Sequence, residues 1–253
     1  MLLSQPLLIV NNTIGDVHDE IIAALINEGC LNDLDTEDNE YTWEYPAPII
    51  ANIRFPWLEP IKSPAYPKQE GFLREYRNQM RSLTPKRADG KSFTYTYGNR
   101  FRDYPRSIAG EGLCGDGDGR GIDQITESIV KRLAASPNSR RAVACTLVPE
   151  WDIQQSEPPC INVLQALIRD GVLRLTAYIR SNDMLSAWCD NANGLAGYSE
   201  YISNRINELA GNDSCQPGDV TTISVSAHLY ASRDIKELNT FKAYLWKKGM
   251  LRV

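Results

Sequence analysis

The sequence predicts an α+β fold: a single domain over residues 1–253, built on a largely antiparallel or mixed β-sheet flanked by helices. Three observations carry this. Leu173, Leu175, Ala177 and Ile179 alternate with Arg174, Thr176, Tyr178 and Arg180, the period of a half-buried strand. Asp170-Gly171, a favoured two-residue hairpin turn, joins that run to the apolar run before it. Apolar residues at helical spacing recur elsewhere, and no tract rich in Gly, Ser or Pro divides the chain.

Each element has its own signal. Asp16 is expected to cap a first helix, with Asp19 and Glu20 in its first turn, Val17, Ile21 and Leu25 on one face and Gly29 as C-cap. Residues 42–55, TWEYPAPIIANIRF, are aromatic and β-branched and predict a strand pair or a bent strand. KQEGFLREYRNQMRSL, residues 68–83, predicts a helix, and SFTYTYGNRF, residues 92–101, a strand ending at Gly98. GEGLCGDGDGRG, residues 110–121, lacks the Gly-Lys-Ser/Thr of a phosphate loop and the final Glu of a calcium loop, so a flexible loop is expected. Ile122, Ile125, Ile129 and Leu133 space a helix that stops at SPNSRR, followed by the strand AVACTLV. Leu195, Tyr198, Ile202, Ile206 and Leu209 space another helix, and TTISVSAHLY, residues 221–230, is the last strong strand.

Bulk properties narrow the function classes. The net charge of −5 argues against a general duplex-binding protein, which needs a basic face, so no nucleic-acid partner is expected. No apolar run approaches the roughly 18 residues of a membrane span, and LLSQPLLIV lacks a basic flank and a small-residue cleavage site, so no membrane partner and a cytoplasmic location are expected. Cys30, Cys114, Cys145, Cys160, Cys189 and Cys215 form no C-x-x-C pair and have only His18 and His228 to join them, which predicts reduced thiols and no metal.

The stretch with most chemical content is QSEPPCINVLQ, residues 155–165. Pro158 and Pro159 have fixed φ and no N–H, so Cys160 is held at the mouth of an apolar segment. A cysteine there reads first as a small buried hydrophobe. Three polar clusters add meaning: Ser139-Arg140-Arg141, Arg180-Ser181-Asn182-Asp183, and His228 with Tyr230. Arginine forks bind phosphate in a fixed geometry, and a guanidinium beside a thiol favours the thiolate, so such groups would anchor a nucleotide and activate Cys160.

Pro-Pro-Cys, RSND twenty residues on, Asn191 eleven beyond Arg180, then PGD and HLY, with SRR about twenty residues before the cysteine and YGNRFR and DQI upstream, resemble the thymidylate synthase family over residues 93–230. The resemblance implies a reaction at C5 of a pyrimidine nucleoside monophosphate, with 5,10-methylenetetrahydrofolate as one-carbon donor and no metal. It implies Cys160 as nucleophile at C6, Arg180, Arg140 and Arg141 on the phosphate, and a homodimer in which Arg140 and Arg141 reach the partner's site. It further implies Ser181 on the phosphate, Asp183 on the base or folate, His228 and Tyr230 on the sugar hydroxyl, and Tyr97 of YGNRFR among the catalytic residues. Asn191 would read the base edge, since a carboxamide pairs with uracil's O4 and N3–H; a shift of one to Asp190 would favour cytosine. Phe101 and Trp188 would form an aromatic wall beside the folate, and the catalytic glutamate would be Glu59 or Glu70, with Glu75 behind them.

The pattern departs from the family at Ile161, where a His commonly follows the cysteine, at Ile179, where a Gln commonly precedes RS, and at Ser226, where an Asp is common. These changes are similar to a divergent, shorter branch, archaeal-type or phage-like. The loop at residues 31–40 lacks the family's additional phosphate arginine, so phosphate binding is expected to be weaker or to use Arg54 instead. Methylation of dUMP leads, and 5-hydroxymethylation of dUMP, dCMP or CMP is the rival, depending on whether a closing C-terminal tail excludes water. From other classes stand a non-catalytic nucleotide-binding homologue and a cysteine hydrolase pairing Cys160 with His228.

Overall fold

In the computed structural model, which describes residues 5–32, 40–83 and 95–252, the chain runs through β1 (Leu7–Asn11), α1 (Ile14–Glu28), β2 (Cys30–Leu31), β3 (Thr42–Glu44), β4 (Ile49–Ile53) and α2 (Glu70–Arg81). There follow α3 (Tyr97–Arg102), β5 (Arg106–Ile108), β6 (Gly112–Cys114), a π-helical segment at Ile125–Val130 that runs into α4 (Lys131–Ala135), β7 (Val143–Cys145) and α5 (Pro149–Asp152). The remainder is β8 (Ile161–Arg169), β9 (Val172–Asp183), α6 (Trp188–Ala210), β10 (Gln216–Tyr230) and α7 (Ile235–Lys247). This is an α+β fold with a mixed sheet flanked by helices, as the patterning predicts. The chain packs as two units, each assembled from separated segments: Met1–Leu73, Tyr178–Asn193 and Asp219–Val253 in unit 1, and Arg74–Ala177 and Gly194–Gly218 in unit 2.

Unit 1 holds strands in the order β1-β4-β10-β9. β1 lies parallel to β4, with Leu7 opposite Ile49, and β4 lies antiparallel to β10, with Ile53 opposite Val220. Ile14, Val17, Ile21 and Leu25 on α1 are fully buried, at roughly 1.5–3 kcal/mol for each large apolar side chain removed from water. The cap of α1 is Thr13 and not Asp16. The Thr13 hydroxyl accepts the Asp16 N–H at 3.1 Å and donates to the Asp16 carboxylate at 2.7 Å, so Asp16 is the first-turn acid of a Thr-x-x-acid cap. Gly29 does end the helix, and a Cβ there would overlap the Trp43 indole, whose N–H donates to the Leu25 carbonyl at 2.6 Å. Neither β1 nor α7 stands out in the sequence.

Unit 2 carries the first half of β9, then β8 and β7, the last two antiparallel with Val143 opposite Gln165. Asp170 and Gly171 have φ of 54° and 75°, the left-handed pair that a tight hairpin between β8 and β9 demands. The strand expected over residues 92–101 is replaced, from Tyr97, by α3; residues 92–94 lie outside the described ones. A reciprocal cap overrides the β-propensity of the Tyr/Thr run: the Thr96 hydroxyl accepts the Asn99 N–H at 3.2 Å, and the Asn99 side chain accepts the Thr96 N–H at 2.6 Å.

The glycine-rich stretch is a loop held by specific hydrogen bonds. Residues 112–114 form β6, and the buried Asp103 carboxylate then accepts the N–H groups of Gly117, Gly119 and Gly121 at 2.8, 2.7 and 2.6 Å. Glycine serves here because Gly117 and Gly119 have φ of 108° and 80°. Asp103→Ala is expected to cost about 2–4 kcal/mol, the scale of several charge-assisted hydrogen bonds lost together. Faster amide exchange at the three glycines would accompany the loss; unchanged exchange there would show that Asp103 does not order the turn.

Candidate active site

Within unit 2, the backbone on both sides of Cys160 is held by hydrogen bonds. The buried Pro159 carbonyl accepts from the Asn162 side chain at 2.8 Å, the Ile161 carbonyl accepts from the Thr146 hydroxyl, and the Asn162 carbonyl accepts the Thr146 N–H at 3.0 Å. The Ile161 N–H donates to the Tyr97 hydroxyl, which lies among Tyr95, Cys160 and Tyr76. Burial, reinforced by those neighbours, pushes the Tyr97 phenol well above its ordinary range, so it stays protonated. Cys160 itself is half-buried and not in a disulfide. The Pro-Pro step therefore presents a thiol on a turn whose shape is fixed from both sides.

Behind this turn stands Arg100, 1% exposed. Its guanidinium meets both Asp152 oxygens at 2.8 and 2.9 Å, Asp116 at 2.9 Å and the Thr146 carbonyl at 3.2 Å. Asp152 also accepts the Val148 N–H at 2.7 Å. Arg100 thus fixes the strand end that holds the Cys160 turn through Thr146. Nothing in the sequence marks it apart from a charge inside the aromatic run TYGNRF.

Unit 1 gathers most of the remaining candidates. Arg180 and Ser181 are half-buried near the end of β9, and Asn191 is buried in the first turn of α6. The Asp183 carboxylate accepts the Leu185 and Ser186 N–H groups at 3.1 and 2.9 Å and pairs with Arg233 at 2.5 Å, so it shapes the turn into α6. Arg233 also lies 3.9 Å over the Tyr230 ring and pairs with Asp234, which links Asp183 to Tyr230. The His228 ring, 5% exposed, stands edge-on to Tyr230 at 5.2 Å, with Nδ1 3.2 Å from the Ser226 hydroxyl.

A family model for thymidylate synthase matches residues 16–241, a stretch that includes Cys160, Arg180, Asn191 and His228. The chain belongs to the thymidylate synthase family. A relative from Methanosarcina acetivorans, named "Putative thymidylate synthase", is 35% identical over 161 residues, a match that spans 64% of this chain and 62% of that relative's length. One of the same name from Methanocaldococcus jannaschii is 30% identical over 243 residues, spanning 92% of this chain and 97% of the relative.

The departures from the thymidylate synthase pattern have local reasons. Ile161 and Ile179 are fully buried, facing the core where the family commonly has polar residues, and Ser226 engages His228. Arg140 and Arg141 are exposed, and among the described residues neither shows a carboxylate ion pair. Glu59, Glu70 and Glu75 are all exposed; Glu59 accepts the Ile61 N–H at 3.0 Å, and Glu70 opens α2. Phe101 and Trp188 are fully buried, Phe101 edge-on to Tyr198 and Trp188 hydrogen-bonded to Thr222 at 3.0 Å. Neither offers a ring face to a ligand. Exposed aromatic surface in unit 1 includes Phe55 and Trp57, with centroids 6.2 Å apart. Among the described residues no group of three or more His, Cys, Asp or Glu is placed to hold a metal, and no helix is long and apolar enough to cross a membrane.

Proposed function

We propose that the protein transfers a one-carbon unit to C5 of dUMP, giving dTMP, through a covalent bond between Cys160 and C6 of the base. The observation that carries this is the fixed, half-buried Cys160 turn in a chain of this family. Addition of the Cys160 thiolate across the C5–C6 bond makes C5 nucleophilic. After C5 has taken the carbon unit and lost its proton, elimination returns the electron pair to sulfur and restores the double bond. The Tyr97 phenol, within electrostatic reach of Cys160, stays protonated and so places no second negative charge beside the thiolate.

Arg180 and Ser181 hold the phosphate, His228 and Tyr230 the sugar, and Asn191 the base edge. The exposed Arg140 and Arg141 suit a homodimer in which they complete the partner's phosphate site. The family's donor, 5,10-methylenetetrahydrofolate, supplies the carbon unit and, in methylation, a hydride. The side chains that the sequence assigned to it do not fit that role: Phe101 and Trp188 are buried in core packing, and both Asp183 oxygens are engaged by the protein.

One observation favours hydroxymethylation as the second reading. The C-terminal segment is pinned on α1: the Met250 carbonyl accepts from Asn27 at 3.1 Å, the Arg252 N–H donates to Asn27 at 2.9 Å, and Arg252 pairs with Glu28 at 2.8 Å. A tail so anchored is not poised to close and exclude water. Product mass decides between them, with dUMP, dCMP, UMP and CMP each supplied with methylenetetrahydrofolate. One added methylene unit on dUMP, with dihydrofolate formed, is the expected result; the mass of formaldehyde added, with tetrahydrofolate released, would make the protein a hydroxymethylase. No product on any base would support a non-catalytic homologue.

A further inference from the structure

The first turn of α6 is fastened to residues 61–68 of unit 1 by side chains that the proposed chemistry does not use. Lys68 Nζ contacts the Asp190 carboxylate and donates to the Ser186 carbonyl at 2.7 Å. The Tyr66 hydroxyl contacts the same two groups, Asp190 Oδ1 at 2.7 Å and the Ser186 carbonyl at 2.9 Å. One residue before Asp190 and three after it, Cys189 Sγ and Asn193 Nδ2 meet the Ile61 carbonyl at 3.9 and 2.9 Å. Asp190 is 4% exposed and Tyr66 2%, so this is a buried carboxylate with both oxygens committed.

Helix geometry turns these anchors into a direction. Each residue advances an α-helix by about 100°, which places Cys189 and Asn193 almost opposite Asn191 and Asp190 little more than a quarter turn from it. Fastening those three to residues 61–68 points Asn191 away from them. The two adjacent side chains are not equivalent to a base: a carboxamide donates and accepts, whereas a carboxylate only accepts and would suit the amino group of cytosine.

We propose that Lys68, Tyr66 and Asp190 act as a positioning device that withdraws Asp190 and presents Asn191 to the base, making Lys68 a determinant of base specificity. This rests on the function proposed above. Removing Lys68 leaves a buried carboxylate without its counter-charge and the helix turn without its strongest anchor. Burial already pushes the Asp190 carboxyl up, against the hydrogen bonds from Lys68 and Tyr66.

The test is calorimetric binding of dUMP and dCMP, with thermal midpoints, for wild type, Lys68→Met, Lys68→Arg and the double variant Lys68→Met/Asp190→Asn. The preference of Lys68→Met for dUMP over dCMP is expected to fall about tenfold, the scale of one misplaced polar contact. Lys68→Arg keeps the preference, and the double variant recovers it, because a neutral residue at position 190 needs no counter-charge. A lower midpoint with wild-type preference in Lys68→Met would give Lys68 a structural role alone and overturn the inference. Failure of the wild type to bind either nucleotide would overturn the functional reading, and the inference with it.

Discussion

Replacing Cys160 by alanine is expected to reduce turnover by at least about 10⁴-fold, the scale of losing a covalent nucleophile, while dUMP binding and the thermal midpoint stay near wild type. The fold should tolerate the change because the turn is held by backbone contacts to Asn162, Thr146 and Tyr97, none of which involves the sulfur. Incubation with 5-fluoro-dUMP and methylenetetrahydrofolate, followed by denaturing mass spectrometry, reads the same chemistry directly. Wild type should retain the mass of both ligands and the variant neither. A variant keeping more than about a hundredth of the activity would remove Cys160 from the covalent role. Cys189 offers a contrast, since burial pushes its thiol far above the ordinary range and leaves almost no thiolate.

The largest effect on stability is expected at Arg100. Its side chain and that of Asp152 are 1% exposed and that of Asp116 is 5% exposed, so Arg100→Met would leave two carboxylates buried without their cation. Breaking a buried pair in this way costs about 3–5 kcal/mol, more than the hydrophobic gain from the methionine returns. Urea unfolding would show it as a lower midpoint with an unchanged slope. Adding Asp116→Asn and Asp152→Asn should recover part of the loss, because the penalty comes from uncompensated charge. A loss below about 1 kcal/mol would mean that the carboxylates take up protons or reach water at little cost. Because Arg100 also holds the Thr146 carbonyl, and Thr146 the Ile161 carbonyl, a slower 5-fluoro-dUMP adduct should accompany the instability.

What the sequence disclosed followed from period and spacing. The alternation in β9, the Asp170-Gly171 turn and the run from Leu195 to Ile206 each depend on neighbours a few residues away, and each formed as expected. Expectations failed where a local polar bond outweighed propensity. The Thr96–Asn99 cap turned a β-rich run into α3, and Asp103 ordered a loop whose glycines suggested freedom. Candidate site residues in recognisable motifs could be named from the sequence, whereas the pairings of Arg100, Lys68, Tyr66 and Arg233 could not. Their meaning depends on partners distant in the chain, such as Asp152 for Arg100 and Asp190 for Lys68, and no local pattern records such a pairing. Phe101 and Trp188 show the converse: an aromatic at a promising position is still most stable in the core.

The order in which the strands of unit 1 become available has a consequence for the newly made chain. Ile53 on β4 pairs with Val220 on β10, and α1 closes its core with Phe241 of α7, yet all of Arg74–Ala177 is synthesised in between. Until β10 leaves the ribosome, β4 has an unpaired edge and the apolar face of α1 is incompletely covered, the condition under which nascent chains associate with one another or recruit chaperones. Slow, late-closing assembly of unit 1 is therefore built into the topology.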